Sequence, residues 1–384
     1  MPFQFALPGH TVMGENALAA SEAVIKSFGK KTFIVSGKIV TKSGAVKRLT
    51  DSLEKWDIDY VIFNDITGEP TDEMIKAGVQ AYAASGCDFI TAIGGGSPLD
   101  SAKAIAAMSV LPGSVSDYMG KEIEGDFPPV VMIPTTAGTG SEATKFTVIT
   151  DTGKGIKMLL KGNALLPQLA IVDSSLTLTA PPDITAATGM DALTHAVESY
   201  TSRKANDLTD IYALDAVKRI FAYLPAAYKD GNDTTARYQM AVAAYEAGVC
   251  INNASVTLVH GMSRPIGALF HVPHGISNAM LIKEALSYVR DGCPERFAAL
   301  ARAIGAADAG TDDEEASLTF INALERLCQT LKIPTLEAYG IEKEEFDSYI
   351  DKMARDAITS GSPSNTIKDV QSEDLKTIYQ RLWQ

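Results

Sequence analysis

The chain has 384 residues, 46% of them hydrophobic and 21% charged, which is typical of a globular protein long enough for two domains. Its formal net charge of −13 opposes binding to nucleic acid or to anionic membranes, because both carry negative charge. The four cysteines are far apart and form no CxxC pair, and no apolar run approaches the roughly 20 residues that span a bilayer. We therefore expect a cytoplasmic protein with reduced thiols and no membrane anchor.

Short apolar runs alternate with helix-like spacing through the first half of the chain. This alternation predicts βαβ units and a mostly parallel sheet. The predicted strands are 32–36, 59–63, 88–93, 130–133 and 169–172, and the clearest helical patterns are 42–55 and 72–85.

Strand signals almost vanish from Pro181 onward, where long segments rich in Ala and Leu predict helices broken at Pro225, Gly231 and Pro334. The sequence thus predicts an α/β, Rossmann-like domain over 1–180 and an all-α domain over 181–384. A cleft between two domains is where a ligand site is expected.

A predicted strand runs into Gly94-Gly95-Gly96-Ser97-Pro98 and then into a helical pattern. Glycines let backbone amides approach a pyrophosphate, Ser97 is a good N-cap, and Pro98 suits the first helical position. The spacing departs from GxGxxG, so a plain tight turn, with Asp100 completing a capping box, is an alternative. The loop from Pro134 to Glu142, rich in small and hydroxyl residues, follows the next strand and favours phosphate or nucleotide binding.

Four of the five histidines fall in two short stretches of the helical half. Asp191 and His195 are four residues apart, which places them on one face of a helix. His260 begins another helical turn, and His274 lies at a Pro-Gly bend that can return its ring towards the first two side chains. One oxygen and three nitrogens suit Fe²⁺ or Zn²⁺ and leave room for a substrate oxygen, whereas each histidine alone is more often a core residue.

These stretches resemble the iron-containing (group III) alcohol dehydrogenases, and the resemblance runs from 5–14 to 360–365. Its most specific parts are 94–103, 134–142, 189–200 and 258–278. The resemblance implies an N-terminal dinucleotide-binding domain, a C-terminal helical domain, and a metal held between them by Asp191, His195, His260 and His274. It also implies a homodimer or a larger homo-oligomer.

The same resemblance implies which residues meet an NAD(P) cofactor. The glycine turn from Gly94, with Gly95, Gly96, Ser97 and Asp100, would face the pyrophosphate and nicotinamide. The rest of the groove would be lined by Thr135, Thr136, Thr139, Ser141, Thr144 and Lys157, although a surface role is the plainer interpretation of Lys157.

Two departures from the family pattern affect these expectations. Gly37 and Lys38 follow the strand 32–36 where relatives that prefer NAD usually carry an aspartate, so we expect NADP(H) to be accepted. Arg264 replaces a histidine that many relatives carry, and arginine cannot relay a proton. His271 is the remaining candidate for that catalytic role, and a purely structural role for it is an equal alternative.

The implied reaction is hydride transfer between a small primary alcohol or diol, or the matching aldehyde, and NAD(P), with the metal lowering the pKa of the alcohol. A lyase of the related dehydroquinate-synthase architecture is an alternative, but it should need several cations near the metal. A polyol oxidoreductase of the glycerol-dehydrogenase branch and a non-catalytic metal- or nucleotide-binding module are further alternatives.

Overall fold

The computed structural model describes residues 3–383 and divides the chain at Ala180–Pro181 into two compact units. The first unit contains a six-stranded parallel sheet in the order β1-β8-β5-β4-β2-β3 and a separate antiparallel pair, β6-β7. Its strands are β1 His10–Met13, β2 Lys31–Val35, β3 Asp59–Phe63, β4 Phe89–Gly94, β5 Val130–Pro134, β6 Phe146–Asp151, β7 Ile156–Lys161 and β8 Leu169–Val172. Its α-helices are α1 Ala17–Ala20, α2 Glu22–Phe28, α3 Lys38–Lys42, α4 Ala45–Lys55, α5 Asp72–Ser85 and α6 Gly96–Met108.

Successive side chains of the parallel strands pack on opposite faces of the sheet, each against its own set of helices. Phe33 and Val35 join the core cluster that includes Ile75 of α5 and Ala102 of α6. Ile34, between them, joins the other cluster with Leu49 of α4. Strands β4, β5 and β8 are buried along their whole length, as expected for a parallel sheet covered by helices on both faces.

The order of the strands reverses beside β2. The chain passes from β2 to β3 at one edge of the sheet, and β4 then pairs with the opposite side of β2. Ligands of doubly wound sheets bind at the carboxyl ends of strands at such a switch point. The hydroxyl of Ser36, just past β2, donates to the carbonyl of Ile93 in β4 at 2.8 Å, so the ends of these two strands are joined.

The second unit is built from helices. They are α7 Pro182–Tyr200, α8 Asp207–Lys229, α9 Thr234–Ala254, α10 Leu258–Phe270, α11 His274–Arg290, α12 Pro294–Ala303, α13 Asp313–Thr330, α14 Leu336–Tyr339, α15 Lys343–Thr359 and α16 Ser372–Arg381. The predicted fold, an α/β part followed by an all-α part, is confirmed. Within residues 3–383, none of the helices is both long enough and apolar enough to cross a membrane.

Local details differ from the sequence prediction. The helix predicted over 42–55 begins three residues later, at Ala45, because Gly44 adopts a φ of 89° and separates α4 from α3, which ends at Lys42. Pro225 does not break its helix but lies inside α8. A proline removes one backbone donor and costs about 3 kcal/mol in an isolated helix, a cost that packing against neighbouring helices can offset. Strand β1 and the pair β6-β7 were not predicted.

One buried carboxylate of the helical unit gives a pH-dependent stability. Burial and the neighbouring charge of Asp215 raise the pKa of Glu246 to about 8, although Arg219 lies 3.5 Å away and opposes the shift. Because the folded pKa is above the unfolded value of 4.5, the stability contributed by the protonated form is lost as pH rises through 8. We expect Glu246→Gln to gain about 3 kcal/mol of unfolding free energy relative to the wild type between pH 5 and pH 8. Urea unfolding at both pH values measures this difference, and Glu344→Gln, at an exposed position, is the control. A constant difference across this range would contradict it.

Candidate functional site

The glycine turn joins β4 to α6 in a conformation that requires two of its glycines. Gly94 has a φ of 155°, and a Cβ there would lie 2.7 Å from the Pro98 ring. A Cβ at Gly96 would lie 2.9 Å from the side chain of Thr139. The helix begins at Gly96 with Gly95 as N-cap, so the prediction of Ser97 as N-cap and Pro98 as first residue was wrong by two positions. The early start leaves the amides of the first turn available for an anion.

The second predicted loop packs directly against this turn. The amide of Thr135 donates to the carbonyl of Gly94 at 2.8 Å, and Thr139 covers Gly96. Thr136 is the nearest neighbour of Gly95, 3.6 Å from the place of a Cβ. The structure therefore brings the two loops together at the carboxyl ends of β4 and β5.

Hydrogen bonds of Asp100 connect the two loops to strand β6. One carboxylate oxygen of Asp100 accepts from the Ser141 hydroxyl at 2.6 Å, and the other accepts from the amide of Val148 at 2.8 Å. Burial raises the pKa of Asp100, while the nearby Lys103 opposes this rise. Asp100 is thus bonded to protein groups on both oxygens, and it does not complete the capping box considered as an alternative.

Lys103 received no role from the sequence, yet its ammonium group lies at the centre of this loop region. It donates to the carbonyls of Ser141, Thr144 and Phe146 at 2.7–2.8 Å and to the Thr144 hydroxyl at 2.9 Å. Burial lowers its pKa to about 8, against the opposing charges of Asp100 and Glu142. The sequence does carry a signal for this buried position, because Lys103 lies inside the apolar run Ala102 to Ala107. A lysine on the exposed face of a helix usually lies among polar residues.

The remaining predicted cofactor residues are more dispersed. Thr144 is buried and bonded to Lys103, and Lys157 lies on β7, where its ammonium group pairs with Glu69 at 2.7 Å. Gly37 and Lys38 lie at the end of β2, the strand beside the glycine turn. A Cβ at Gly37 would lie 2.8 Å from the carbonyl oxygen of Ile66, and Lys38 is exposed, 3.6 Å from Asp65.

Four predicted metal ligands converge in the helical unit. Helix α7 carries Asp191 and His195, α10 carries His260 in its first turn, and α11 begins with His274. One oxygen of Asp191 lies 3.8 Å from Nε2 of His195, 3.5 Å from Nε2 of His260 and 3.6 Å from Nε2 of His274. Asp191, His195 and His260 are buried and form a geometry that could hold a metal ion.

The electrostatics of this cluster favour an ionised aspartate. Burial opposes the charge of Asp191, but the three histidines outweigh burial and hold the pKa of this carboxyl well below its usual range. The carboxylate is therefore available as a ligand at neutral pH.

Asn278 shows that the ligand atoms point to one place. Its Nδ2 donates to Oδ1 of Asp191 at 2.7 Å and lies 3.2 Å and 3.3 Å from Nε2 of His260 and of His274. Three acceptor atoms thus surround the amide NH₂ group of Asn278. A set of one carboxylate oxygen and several imidazole nitrogens fits Fe²⁺ or Zn²⁺. Sequence reasoning missed Asn278, although it follows His274 by four residues on the same helix.

A buried carboxylate, also missed, orients His260. Glu198 accepts from Nδ1 of His260 at 2.5 Å through one oxygen, and from the Thr257 hydroxyl and the Val259 amide through the other, at 2.9 Å and 2.5 Å. Such a bond fixes the ring and the tautomer so that Nε2 keeps its lone pair for an ion. The side chain is fully buried.

We expect Glu198→Gln to lower metal affinity about 10- to 100-fold, because the amide cannot hold His260 as a carboxylate does. Competition with a chelator for Zn²⁺ measures the affinity, and turnover should recover in part at high metal concentration. Glu344→Gln, at an exposed position, is the matched control. An unchanged Zn²⁺ affinity would exclude this orienting role.

Arg264 lies on α10, and His271 lies at its C-terminal end. Both were considered for a catalytic role because the sequence departs from the family pattern there. His271 terminates the helix with a φ of 55° and is exposed, a backbone role that supports the structural alternative. Arg264 follows His260 by one helical turn, and its guanidinium donates to the Ser362 hydroxyl at 2.9 Å.

Comparison with known proteins gives matches along nearly the whole chain. Residues 8–174 match the model "iron-containing alcohol dehydrogenase", and residues 185–383 match "Fe-containing alcohol dehydrogenase family, C-terminal". The chain is 34% identical to the choline dehydrogenase of Bacillus subtilis strain 168, with 98% of the chain and 94% of that protein covered. It is 35% identical to the NAD-dependent methanol dehydrogenase of Bacillus methanolicus, with 95% and 97% covered. A crystal structure of a 1,3-propanediol oxidoreductase superposes over 100% of both chains, with a TM-score of 0.96 and 33% identity.

Proposed function

The chain belongs to the iron-containing alcohol dehydrogenase family, and on this basis we propose that its substrates are short alcohols or diols and the matching aldehydes. Membership confirms the resemblance and makes the protein an NAD-dependent oxidoreductase that acts on CH–OH groups. The comparisons do not favour the dehydroquinate-synthase-like lyase or the glycerol-dehydrogenase branch.

Asp191, His195, His260 and His274 are the proposed ligands of a divalent ion, Fe²⁺ or Zn²⁺. The observation that supports this best is the approach of three imidazole nitrogens to one aspartate oxygen within 3.8 Å. A divalent cation supplies Lewis acidity, which favours loss of the alcohol proton near neutral pH. The protein contributes the ionised Asp191 and the fixed His260 ring, and burial excludes water from three of the four ligands.

The dinucleotide is proposed to bind at the carboxyl ends of β2 and β4, where the strand order reverses. Gly95, Gly96 and Ser97 offer the amides of the first turn of α6 to the pyrophosphate. The loop residues Thr135, Thr136 and Thr139 line the groove beside them. Asp100, Ser141 and Thr144 are proposed to shape the groove, because Ser141 bonds to Asp100 and Thr144 bonds to Lys103.

Acceptance of NADP(H) is proposed to depend on Lys38, which is exposed beside Gly37. Asp65, 3.6 Å from Lys38, weakens this preference because it also repels a 2′-phosphate. The cofactor preference is measured as kcat/KM for NADPH divided by kcat/KM for NADH. We expect Lys38→Met to lower this ratio about 5- to 10-fold, because the substitution removes one surface charge contact to the 2′-phosphate. Lys42→Met, at the exposed end of the same helix, should leave the ratio unchanged. A wild-type ratio below about 0.01 would contradict the NADP(H) proposal.

The experiment that tests the function uses protein stripped by a chelator and reloaded with Fe²⁺ or with Zn²⁺. Oxidation of NADH and of NADPH is followed with a panel of short aldehydes. Metal-dependent turnover supports the proposal and identifies the preferred ion and cofactor. Absence of turnover with every pair, despite restored metal binding, would favour a non-catalytic module.

A further inference from the structure

Arg264 places a cation one helical turn from a proposed metal ligand. It follows His260 by four residues on α10, so the two side chains emerge on the same face of the helix, about 5–6 Å apart at their bases. Arg264 is partly buried, and Ser362, its partner, is 6% exposed. The guanidinium is therefore held in place rather than extended into solvent.

No carboxylate among residues 3–383 forms an ion pair with Arg264. Its one hydrogen bond, to the neutral Ser362, leaves four of the five N–H groups of the guanidinium for another partner. Other arginines of the helical unit form ion pairs with carboxylates: Arg219 with Asp215, Arg296 with Asp210 and Arg302 with Asp313. Burial lowers the pKa of Arg264, although the negative charge of Glu198 opposes this shift.

Glu198 is the carboxylate whose charge acts on Arg264 from a distance. Both of its oxygens already accept hydrogen bonds from other groups. Its two oxygens accept from His260, Thr257 and Val259. A cation taken out of water without an ion-pair partner costs several kcal/mol, so an anion that arrives with a ligand would gain that energy.

We infer that Arg264 binds a carboxylate carried by the substrate, so that the preferred aldehydes are short oxo acids whose carbonyl lies at the metal site. This inference rests on the proposed function and defines its substrate class. The planar fork of arginine matches a carboxylate with two parallel hydrogen bonds. The spacing of about one helical turn between Arg264 and His260 corresponds to roughly two to four atoms between the carbonyl carbon and the acid group.

The test compares succinate semialdehyde with its methyl ester in the metal-loaded enzyme. The two aldehydes share the chain between their carbonyl carbons, but the ester has no negative charge. We expect kcat/KM for the acid to exceed that for the ester at least about 10-fold, and Arg264→Gln to bring this ratio to within about 2-fold of unity. Arg264→Lys, which keeps the charge, should retain part of the preference. Arg302→Gln is the matched control, because Arg302 already has Asp313 as a partner, and it should keep the wild-type ratio.

Calorimetry with succinate, which cannot be reduced, measures the same contact without turnover. Binding by the metal-loaded wild type that Arg264→Gln weakens at least about 10-fold supports the inference, whether or not aldehydes turn over. Equal use of acid and ester by the wild type overturns it and leaves the dehydrogenase proposal intact. An equal fall for both substrates in Arg264→Gln, or a raised cofactor KM, also overturns it. Failure of every aldehyde, acidic or neutral, with metal bound would instead refute the proposed function.

Discussion

Asp191→Asn should abolish most of the activity, with a fall in kcat/KM of at least about 1,000-fold, or about 4 kcal/mol of transition-state stabilisation. The carboxylate is the one anionic group among the four proposed ligands, and its oxygen lies within 3.8 Å of all three imidazole nitrogens. An amide of the same size retains the shape of the site but removes the negative charge that offsets a divalent cation. Metal content after dialysis and steady-state kinetics with added Fe²⁺ or Zn²⁺ measure the two losses separately.

Asp183→Asn provides the matched control, because Asp183 lies in the exposed first turn of the same helix. It should retain metal and activity. If Asp191→Asn bound the ion normally and turned over at the wild-type rate, the proposed ligand set would be wrong.

Lys103→Met should cause the second large effect, a loss of about 3–5 kcal/mol in the free energy of unfolding. The substitution fills a similar volume but leaves three carbonyls, two of them in buried hydrogen bonds, and the Thr144 hydroxyl without their donor. Because these carbonyls belong to the segment that packs against the glycine turn, the KM for the dinucleotide should rise about 10-fold as well. Thermal unfolding and cofactor titration measure the two effects.

Lys76→Met, an exposed position on α5, should change neither quantity beyond experimental error. A Lys103→Met protein with unchanged melting temperature would show that water or a rearranged backbone satisfies these carbonyls.

The parallel sheet and the aspartate-histidine pair were predictable because their signals are local. Strand β3 and helix α5 have the predicted bounds, since apolar runs and 3.6-residue spacing are written in consecutive residues. Likewise, Asp191 and His195 share a helix face at a spacing visible in the sequence.

The residues that complete the candidate site were less predictable because their partners are distant in sequence. Glu198 and His260 are 62 residues apart, and Asn278 and Asp191 are 87 residues apart. The acceptors of Lys103 lie 38 to 43 residues away, so its buried position depends on tertiary packing. The β6-β7 pair has a local signal that was missed: β6 alternates partly exposed and buried residues from Phe146 to Asp151, the period of a half-buried strand.

The contact between Gly37 and the backbone oxygen of Ile66 limits which residues can occupy a position that is proposed to face the dinucleotide. Any side chain at position 37 would bring its Cβ to 2.8 Å from that oxygen, closer than real Cβ atoms come. Placing an aspartate at position 37 would therefore require the backbone after β3 to move. Lys38 is exposed, so a single substitution can change the charge at this position, and the proposed dinucleotide preference with it, without moving the backbone.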